Sequence, residues 1–469
     1  MNTNILNSDT ICAIATPHGM GAIATIRVSG IKTFPVVCGL FQQNDKPLEQ
    51  IISHKAYHGY IIDNGELLDE VLVTFFKAPH SFTGEDSAEI SVHGSMYVQQ
   101  KLLQMLIAHG CRMAEAGEFT RRAFVNRKFD LAQAEAIADL INSESEAAHR
   151  LAINQLKGGF SKELQMMRSK LLEITSLMEL ELDFSEEDVE FADRSQLKGL
   201  LQETLIHVNR LKDSFRLGNA IKNGIPVAIV GQTNTGKSTL LNALLGEDRA
   251  IVSDIAGTTR DTIEETLNIN GILFRFIDTA GLRQTEETIE RIGIERSYRT
   301  ITEATMVIGM LDATKEPENL LITAHEILER INLGCQQLIL CINKVDRLDD
   351  QGATLLGQLR QDLDDDDIQV ICLSAKHGFG LNDLYNALKH SQPLTSPDAT
   401  LVTNVRHYEA LLHASESLLQ VKQGLEINIP TDLISQDLHQ ALYYLGSITG
   451  EITTDEILGS IFSRFCIGK

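Results

Sequence analysis

The chain has 469 residues, which is too long for one hydrophobic core and predicts about two to four domains. Its formal net charge of −23 excludes a protein that coats nucleic acid along its whole surface, so any RNA contact needs a local basic patch. The cysteines are dispersed without metal-binding spacing, and no apolar run approaches the roughly 18 residues of a membrane-spanning helix. We therefore expect a cytoplasmic protein that does not cross a membrane.

The first 125 residues have the pattern of an α+β domain. Segments 22–28 and 71–76 are β-like, residues 89–92 alternate between polar and apolar, and residues 97–108 are a helix candidate. A basic cluster follows, and the sequence leaves open whether it contacts RNA or is an ordinary solvated face. Its members are Arg112, Arg121, Arg122, Arg127 and Lys128.

From residue 131 to about residue 217 the pattern becomes helical. One apolar stripe keeps steps of three and four residues, which is the spacing of a single helix face, and Ser161 is a plausible N-cap for it. The stripe consists of Leu164, Met167, Leu171, Ile174 and Met178. We therefore predict an all-α helical region over residues 126–219.

A phosphate-binding loop is predicted at residues 231–238. Its sequence, Gly-Gln-Thr-Asn-Thr-Gly-Lys-Ser, lies between a strand candidate at 225–230 and a helix-like stretch at 239–245. Glycines at both ends of the motif let the backbone direct its N–H groups toward phosphates. Lys237 is expected to reach the β- and γ-phosphate oxygens, and Ser238 is expected to supply a hydroxyl to Mg²⁺.

Further motifs follow in the order expected of a guanine-nucleotide site. Residues 278–281, Asp-Thr-Ala-Gly, offer a carboxylate to Mg²⁺ through water and a glycine N–H to the γ-phosphate, and Thr259 upstream is predicted as the second Mg²⁺ hydroxyl. In the motif Asn-Lys-Val-Asp at 343–346, the Asp346 carboxylate can accept from two N–H donors of guanine, which adenine lacks. Residues 374–376, Ser-Ala-Lys, are expected to pack against the base.

These motifs occur within about 150 residues, roughly the length of one domain, which leaves little room for coincidence. They predict a GTPase. The predicted GTP-binding residues are Gly231, Asn234, Thr235, Gly236, Lys237, Ser238, Thr239, Ser253, Asp254, Ile255, Ala256, Gly257, Thr258, Thr259, Asp278, Thr279, Ala280, Gly281, Asn343, Lys344, Asp346, Ser374, Ala375 and Lys376.

The surrounding pattern predicts a Ras-like α/β domain over residues 220–388. Asn270-Gly271 between alternating apolar residues is a strong two-residue hairpin signal, and it supplies one antiparallel strand. Residues 306–311, 337–342 and 368–373 are uninterrupted apolar runs, as expected of parallel strands that helices cover on both faces.

One position departs from Ras-type enzymes. They place a water-orienting glutamine directly after the Asp-x-x-Gly motif, whereas this chain has Leu282, which cannot polarise water. Another group must orient the nucleophile, and a cation must balance charge in the transition state. The residues alone leave four nearby candidates open, beside a merely solvated helix face; these are Arg283, Glu286, Glu287 and Glu290.

Residues 389–469 are again helical and carry two apolar stripes. Neither helix can bury its stripe alone, so we expect both to pack on the helices before residue 217, which makes the GTPase domain an insertion in a helical domain. Thr453 with Glu456 predicts a capping box for the last helix. The stripes are Leu438, Leu442, Leu445 and Ile448, followed by Ile457, Leu458, Ile461, Phe462 and Phe465.

The chain ends in Phe-Cys-Ile-Gly-Lys at 465–469. As a prenylation box this ending fits badly, because Gly468 and a terminal Lys469 do not match the pattern. The Cys466 thiol, beside a lysine and a terminal carboxylate, is either a site component or part of a frayed terminus.

Several segments together carry a resemblance that spans essentially the whole chain. In the GTPase part they are the P-loop and residues 254–261, 278–283 and 291–296; outside it they are 15–17, 81–86, 117–119, 130–136 and 465–469. On these segments the chain resembles the MnmE family, also called TrmE, of tRNA-modification GTPases. The GTPase motifs alone would fit many families, whereas the segments outside them are specific.

The resemblance implies how the missing glutamine is replaced. A K⁺ ion would occupy the place of an arginine finger, bound by Asn234, by the backbone carbonyls of Ser253 and Ile255, and by Thr258. The resemblance also selects Glu290 as the residue that orients water. The GTPase domains of two subunits are expected to meet across their nucleotide faces during hydrolysis.

The N-terminal domain of the family is similar to folate-using one-carbon enzymes and mediates dimerisation. The resemblance implies a site for a tetrahydrofolate derivative, 5-formyl- or 5,10-methylene-tetrahydrofolate, at Arg27, Glu89, Lys128 and Lys469. Without it, Arg27 would be a surface residue on an edge strand and Glu89 a solvent-facing strand residue. Cys466 is a candidate thiol for the family's chemistry.

The implied function couples GTP hydrolysis to modification of the wobble uridine of certain tRNAs at C5. A flavoprotein partner, MnmG (also called GidA), would supply FAD redox chemistry. Residues 1–125 would form the folate-binding and dimerisation domain, 126–219 and 389–469 the two parts of the helical domain, and 220–388 the GTPase domain.

Two other classes of GTPase fit the sequence less well than this function. A ribosome-assembly switch normally carries a basic RNA-binding domain after the GTPase domain, and residues 389–469 are not strongly basic. A signalling or membrane-remodelling GTPase calls for a lipidation signal or a basic amphipathic helix, and neither is convincing here. Binding of a tetrahydrofolate would separate the three classes.

Overall fold

The computed structural model describes residues 9–43, 46–47, 50–183, 194–247, 265–277, 301–332, 336–348, 368–390, 400–427, 429–463, 465 and 468. The predicted site residues outside these ranges are Ser253, Asp254, Ile255, Ala256, Gly257, Thr258, Thr259, Asp278, Thr279, Ala280, Gly281, Glu290, Cys466 and Lys469. The chain forms two compact units. The first comprises Met1–Ile141, Gln155–Asn209 and Glu409–Lys469, and the second comprises Asn142–Asn154 and Arg210–Tyr408.

The N-terminal part is a mixed domain built on one eight-stranded sheet, in agreement with the predicted α+β class. The strands are β1 (Thr10–Ile14), β2 (Ile23–Ser29), β3 (Phe41–Gln43), β4 (Lys46–Pro47), β5 (Ala56–Asp63), β6 (Glu66–Phe76), β7 (Ser87–His93) and β8 (Cys111–Met113), and the helices are α1 (Thr33–Leu40), α2 (Met96–Ala108) and α3 (Glu118–Val125). The strand order is β4-β3-β5-β6-β7-β2-β1-β8, and within it β1 and β8 pair in parallel.

One face of this sheet packs on α1 and α2 to form the core. The other face carries polar side chains at alternate positions, including Arg27 on β2 and Glu89 on β7, which are paired in register. Because β2 lies between β1 and β7, the expectation that Arg27 would stand on an edge strand was wrong. The interior position of β2 results from pairing with strands that are distant in sequence, and the local sequence does not encode that pairing.

One member of the basic cluster, Arg122, is internal to the fold. The Arg122 side chain is only 2% exposed and forms ion pairs with Asp9, Glu85 and Glu118. Arg112 pairs with Asp9 and Glu118 as well. Burying the Arg122 guanidinium requires such partners, and its ion pairs join α3 to the residue before β1 and to the loop before β7. Arg122 therefore has a structural role, while the Arg112 side chain remains 42% exposed.

Helices continue along the chain from residue 131, as predicted. They are α4 (Leu131–Ile141), α5 (Glu146–Leu156), α6 (Gly159–Asp183), α7 (Arg194–Asp213) and α8 (Phe215–Asn223). The predicted stripe from Leu164 to Met178 is buried along α6. Ser161 was the wrong N-cap: α6 begins at Gly159, directly after Gly158 turns the chain with a positive φ of 79°.

The inserted GTPase domain is a six-stranded sheet in the order β10-β11-β9-β12-β13-β14. The strands are β9 (Ile225–Gly231), β10 (Glu265–Ile269), β11 (Ile272–Phe276), β12 (Met306–Asp312), β13 (Gln337–Asn343) and β14 (Ile368–Cys372), and the helices are α9 (Lys237–Glu247), α10 (Pro317–Leu328) and α11 (Leu381–His390). Apolar clusters cover both faces, as the uninterrupted runs predicted. β10 is antiparallel to β11, and the turn residues Asn270 and Gly271 have φ of 51° and 80°.

The tail helices are α12 (Val405–Glu426), α13 (Thr431–Thr449) and α14 (Asp455–Phe462), which belong to the first unit from Glu409 onward. The apolar stripe of α13 is buried and packs on α6, while Phe462 and Phe465 pack on Leu131 and Ala134 of α4. The cap of α14 is Thr454, whose hydroxyl accepts from the Ile457 N–H, and not Thr453 as the capping-box pattern predicted. In the part of the chain that is described, no helix is long and apolar enough to span a membrane.

Candidate nucleotide-binding site

The predicted P-loop follows β9 and leads into α9, the arrangement that its sequence requires. Gly236 has a φ of 98°, and a Cβ there would lie 2.2 Å from Nδ2 of Asn343. A Cβ at Gly231, where φ is 149°, would lie 2.4 Å from the Met310 carbonyl oxygen. Both positions therefore need glycine. Asn234 also has a positive φ, of 61°, so the loop backbone curls within a few residues.

Lys237 lies at the start of α9 and points back over the loop. Its ammonium donates to the carbonyls of Gly231 and Gln232, each at 2.8 Å. Burial lowers the pKa of Lys237. Thr235 is buried and donates from its hydroxyl to the Gln232 carbonyl at 2.9 Å, which closes the loop. The predicted Mg²⁺ ligand Ser238 lies in the first turn of α9, where a hydroxyl can face a bound phosphate.

The predicted base-recognition residues come together at the ends of β13 and β14. Oδ1 of Asp346 accepts from the Ser374 hydroxyl at 2.6 Å, and this hydrogen bond lowers the pKa of Asp346. An ionised carboxylate is the acceptor that guanine's two N–H donors require. The Ala375 N–H donates to Oδ1 of Asn343 at 3.0 Å, which fixes the following loop. Lys376 is exposed beside it.

The base-recognition motif and the P-loop are joined directly. Nδ2 of Asn343 donates to the Thr235 carbonyl at 2.8 Å, and the Lys344 ammonium donates to the Asn234 carbonyl at 2.5 Å. Both motifs lie at the carboxyl ends of parallel strands, where α/β sheets bind ligands. The groups predicted to hold phosphate and base therefore belong to one continuous site.

Sequence reasoning missed Asp312, the last residue of β12. Its Oδ2 accepts from the Lys344 ammonium at 2.6 Å, and its Oδ1 accepts from the Thr314 hydroxyl at 2.8 Å. Burial alone would raise the pKa of Asp312, but the hydrogen bonds from Lys344 and Thr314 lower it below its ordinary value. A carboxylate that ends an otherwise apolar strand was the available signal, because that strand end borders the P-loop.

The residues implied for folate binding form a second group in the N-terminal domain. The Arg27 guanidinium donates twice to Oε1 of Glu89, at 3.0 and 2.8 Å, and lies over the Phe82 and Phe119 rings. The Lys128 ammonium donates to the Pro79 carbonyl at 2.9 Å. Lys469 and Cys466 lie outside the described residues.

The described end of the chain reaches the same sheet. A Cβ at Gly468 would lie 2.1 Å from the carbonyl oxygen of Ile14, the last residue of β1. Ile14 pairs with Ile26, the neighbour of Arg27 on β2. The C-terminal residues are therefore close to the strand that carries Arg27.

Family models match both the N-terminal part and the remainder of the chain. The family model "GTP-binding protein TrmE N-terminus" matches residues 10–128, and the "MnmE helical domain" model matches residues 131–466. The tRNA modification GTPase MnmE of Flavobacterium johnsoniae is 50% identical over 469 residues, covering 99% of this chain and 100% of the relative. That of Bacteroides fragilis is 50% identical over 468 residues, with coverage of 99% and 100%.

A solved structure of an Era variant from Aquifex aeolicus bound to GDP and AlF4⁻ is also similar. It is 27% identical, covers 41% of this chain and 66% of that chain, and has a TM-score of 0.27. The two family models and the full-length relatives decide the classification: this P-loop GTPase belongs to the MnmE family of tRNA modification GTPases.

Proposed function

We propose that the chain hydrolyses GTP in a K⁺-dependent reaction and uses it to modify the wobble uridine of certain tRNAs at C5. A folate would donate the one-carbon unit, and a flavoprotein of the MnmG class would supply FAD. The observation that carries this proposal is the joined P-loop and base-recognition motif within a chain that matches tRNA modification GTPases along its full length. That full-length match favours a modification enzyme over an assembly switch or a signalling GTPase.

Ser238 and Asn234, the described members of the two proposed ligand sets, carry suitable oxygens. Mg²⁺ prefers hard oxygen ligands, and the Ser238 hydroxyl in the first turn of α9 is one, with Thr259 as the proposed second. When bound, Mg²⁺ would neutralise charge on the β- and γ-phosphates. The ligands proposed for K⁺ are oxygens of Asn234, Ser253, Ile255 and Thr258. Asn234 suits this role because it is exposed, with its own carbonyl held by Lys344.

In the proposed hydrolysis the chain's own groups position the nucleotide and the water. The curled P-loop and Lys237 hold the phosphates, Asp346 holds guanine, and Glu290 orients the attacking water. K⁺ would supply the positive charge that an arginine finger supplies elsewhere. Pairing of two GTPase domains would exclude water from the site and couple nucleotide state to the rest of the dimer.

The second group of residues fits a folate. Lys128 is a cation suited to the glutamate tail, with Lys469 as a proposed second, and Arg27 holds the carboxylate of Glu89. Both hydrogen bonds from Arg27 go to Oε1 of Glu89, so Oε2 can accept from pterin N–H donors. Phe82 beneath Arg27 adds an aromatic surface. Cys466 is proposed as a thiol of the same site. The chain is also proposed to form a homodimer through this N-terminal domain.

The proposed location is the cytoplasm. The described cysteines Cys12, Cys38, Cys111, Cys341 and Cys372 are not in disulfide bonds, which suits a reducing compartment.

The experiment that tests this function is mass spectrometry of tRNA nucleosides from a strain that lacks the gene. The C5-modified wobble uridine should disappear, return with the native chain, and stay absent with a Lys237→Ala chain. Modification that persists in the deletion strain would refute the proposal. Titration of the purified chain with 5-formyl-tetrahydrofolate tests the folate part separately, with Arg27→Ala as the non-binding variant.

A further inference from the structure

The Lys344 ammonium has two oxygen partners on different parts of the GTPase domain. One is the Asn234 carbonyl of the P-loop at 2.5 Å, and the other is Oδ2 of Asp312 at 2.6 Å. Asp312 belongs to none of the nucleotide-binding motifs. It nevertheless forms an ion pair with the residue that joins two of them.

Asp312 is held in one orientation. Its side chain is 8% exposed, and Oδ1 accepts from both the N–H and the hydroxyl of Thr314, at 3.1 and 2.8 Å. It pairs in register with Asn343, whose carbonyl accepts from the Ala313 N–H at 2.9 Å. With Oδ1 occupied by Thr314, Oδ2 is directed at the ammonium of Lys344. A buried carboxylate needs a cationic partner to offset the cost of its desolvation, and Lys344 is that partner.

Lys344 has an unusual backbone conformation. Its φ is 68°, in the left-handed region that side chains other than glycine rarely adopt, and its carbonyl accepts from the Arg347 N–H at 3.0 Å. That conformation begins the turn that carries Asp346. Anchoring the far end of the Lys344 side chain on Asp312 therefore helps to hold both the turn and the P-loop carbonyl.

We propose that Asp312 is a positioning residue for guanine-nucleotide binding, which acts by holding Lys344 between β12 and the P-loop. The competing explanation is a local structural role, in which Asp312 only ties the end of β12 to Thr314. The substitution Asp312→Asn separates the two. The amide keeps an oxygen for Thr314, but it presents an NH₂ donor to an ammonium that can only donate.

The experiment is a thermodynamic cycle on nucleotide affinity. Fluorescent N-methylanthraniloyl-GDP is titrated into the native chain, Asp312→Asn, Lys344→Met and the double variant. We expect Asp312→Asn to weaken binding by about tenfold to a hundredfold, the range for loss of a hydrogen bond between charged groups. The double variant should bind no more weakly than Lys344→Met alone, because no ammonium remains to be held.

Two further measurements make the result specific. In GTP hydrolysis, Asp312→Asn should raise KM while kcat at saturation stays within about threefold of the native value, since Asp312 contacts no reacting atom. Asp383→Asn, an exposed position on α11, is the matched control and should bind within about twofold of the native chain.

Two outcomes would overturn the proposal. One is native-like affinity in Asp312→Asn, and the other is a double variant whose loss equals the product of the two single losses, as independent roles require. Should Asp312→Asn not fold, Asp312→Glu replaces it, because one extra methylene displaces the carboxylate while keeping its charge. Native-like affinity in Asp312→Glu, or independent losses in its double variant with Lys344→Met, would then overturn the proposal.

Discussion

At the scale of single residues, Asp346 is expected to set which base is bound. Asp346→Asn converts one carboxylate oxygen into a donor, which matches the carbonyl that xanthine has in place of guanine's amine. We predict that affinity for GTP falls by about tenfold to a hundredfold while affinity for XTP rises. Competition of each nucleotide against N-methylanthraniloyl-GDP measures both. Asp383→Asn is the control, and an unchanged preference for GTP would exclude Asp346 from base recognition.

Glu290 is the residue proposed to orient the attacking water. Glu290→Ala should keep native affinity for GTP but slow K⁺-stimulated turnover by about a hundredfold or more, because a water-positioning group acts only in the transition state. Single-turnover hydrolysis and nucleotide binding are measured side by side. Glu286→Ala and Glu287→Ala are matched controls, and a similar loss in either of them, with Glu290→Ala active, would reassign the role.

At the scale of elements, the stability of helix α14 depends on the hydrogen bond that caps its N-terminus. Thr454 caps this helix at Ile457 N, so Thr454→Ala should destabilise it by about 1 kcal/mol, while Thr453→Ala should have almost no effect. Hydrogen exchange of the α14 amides reports the difference. Equal protection in the two variants would mean that Thr454 is not the effective cap.

The ion pairs around α3 predict how stability depends on pH. Burial alone would raise the pKa of Glu118, but hydrogen bonds from Arg112, the Glu115 N–H and Arg122 lower it below its ordinary value. A carboxylate whose pKa is lower in the folded state stabilises the fold above its unfolded pKa. That stabilisation is lost as the pH falls through the folded pKa.

We therefore expect the midpoint of urea unfolding of the native chain to fall as the pH is lowered from about 5 into the range below an ordinary glutamate pKa. Glu118→Gln should lose about 3 kcal/mol at neutral pH, because it breaks buried ion pairs, and should show a shallower decline in acid. The exposed Glu66→Gln should follow the native curve. A native-like acid decline in Glu118→Gln would contradict the prediction.

At the scale of the whole molecule, the choice of monovalent cation tests the proposed reaction. Replacing K⁺ by Na⁺ at constant ionic strength should slow GTP hydrolysis by on the order of a hundredfold or more, since the ion takes the role of an arginine finger. Binding of N-methylanthraniloyl-GDP serves as the control and should change little. Equal rates in the two salts would refute the K⁺ mechanism.

Sequence reasoning succeeded where neighbouring residues decide the structure. The pair Asn270-Gly271 predicted its hairpin because both residues tolerate the positive φ that a two-residue turn demands. The apolar runs predicted buried parallel strands, and the glycines predicted the P-loop, for equally local reasons. Sequence reasoning failed by one to three residues at helix starts, as at Ser161 and Thr453, because helix ends are the least sharply defined parts of a sequence pattern.

The amino-acid sequence by itself determined the fold class, the insertion of a GTPase domain into a helical domain, and the family. Only the tertiary structure decided that Asp312 holds Lys344, 32 residues away, and that Arg122 is buried on Asp9, 113 residues away. The physical reason is the separation along the chain over which each kind of interaction acts. Periodicity and short motifs act through neighbours along the chain, whereas the partners of a buried charge depend on which strands and helices the completed fold brings together.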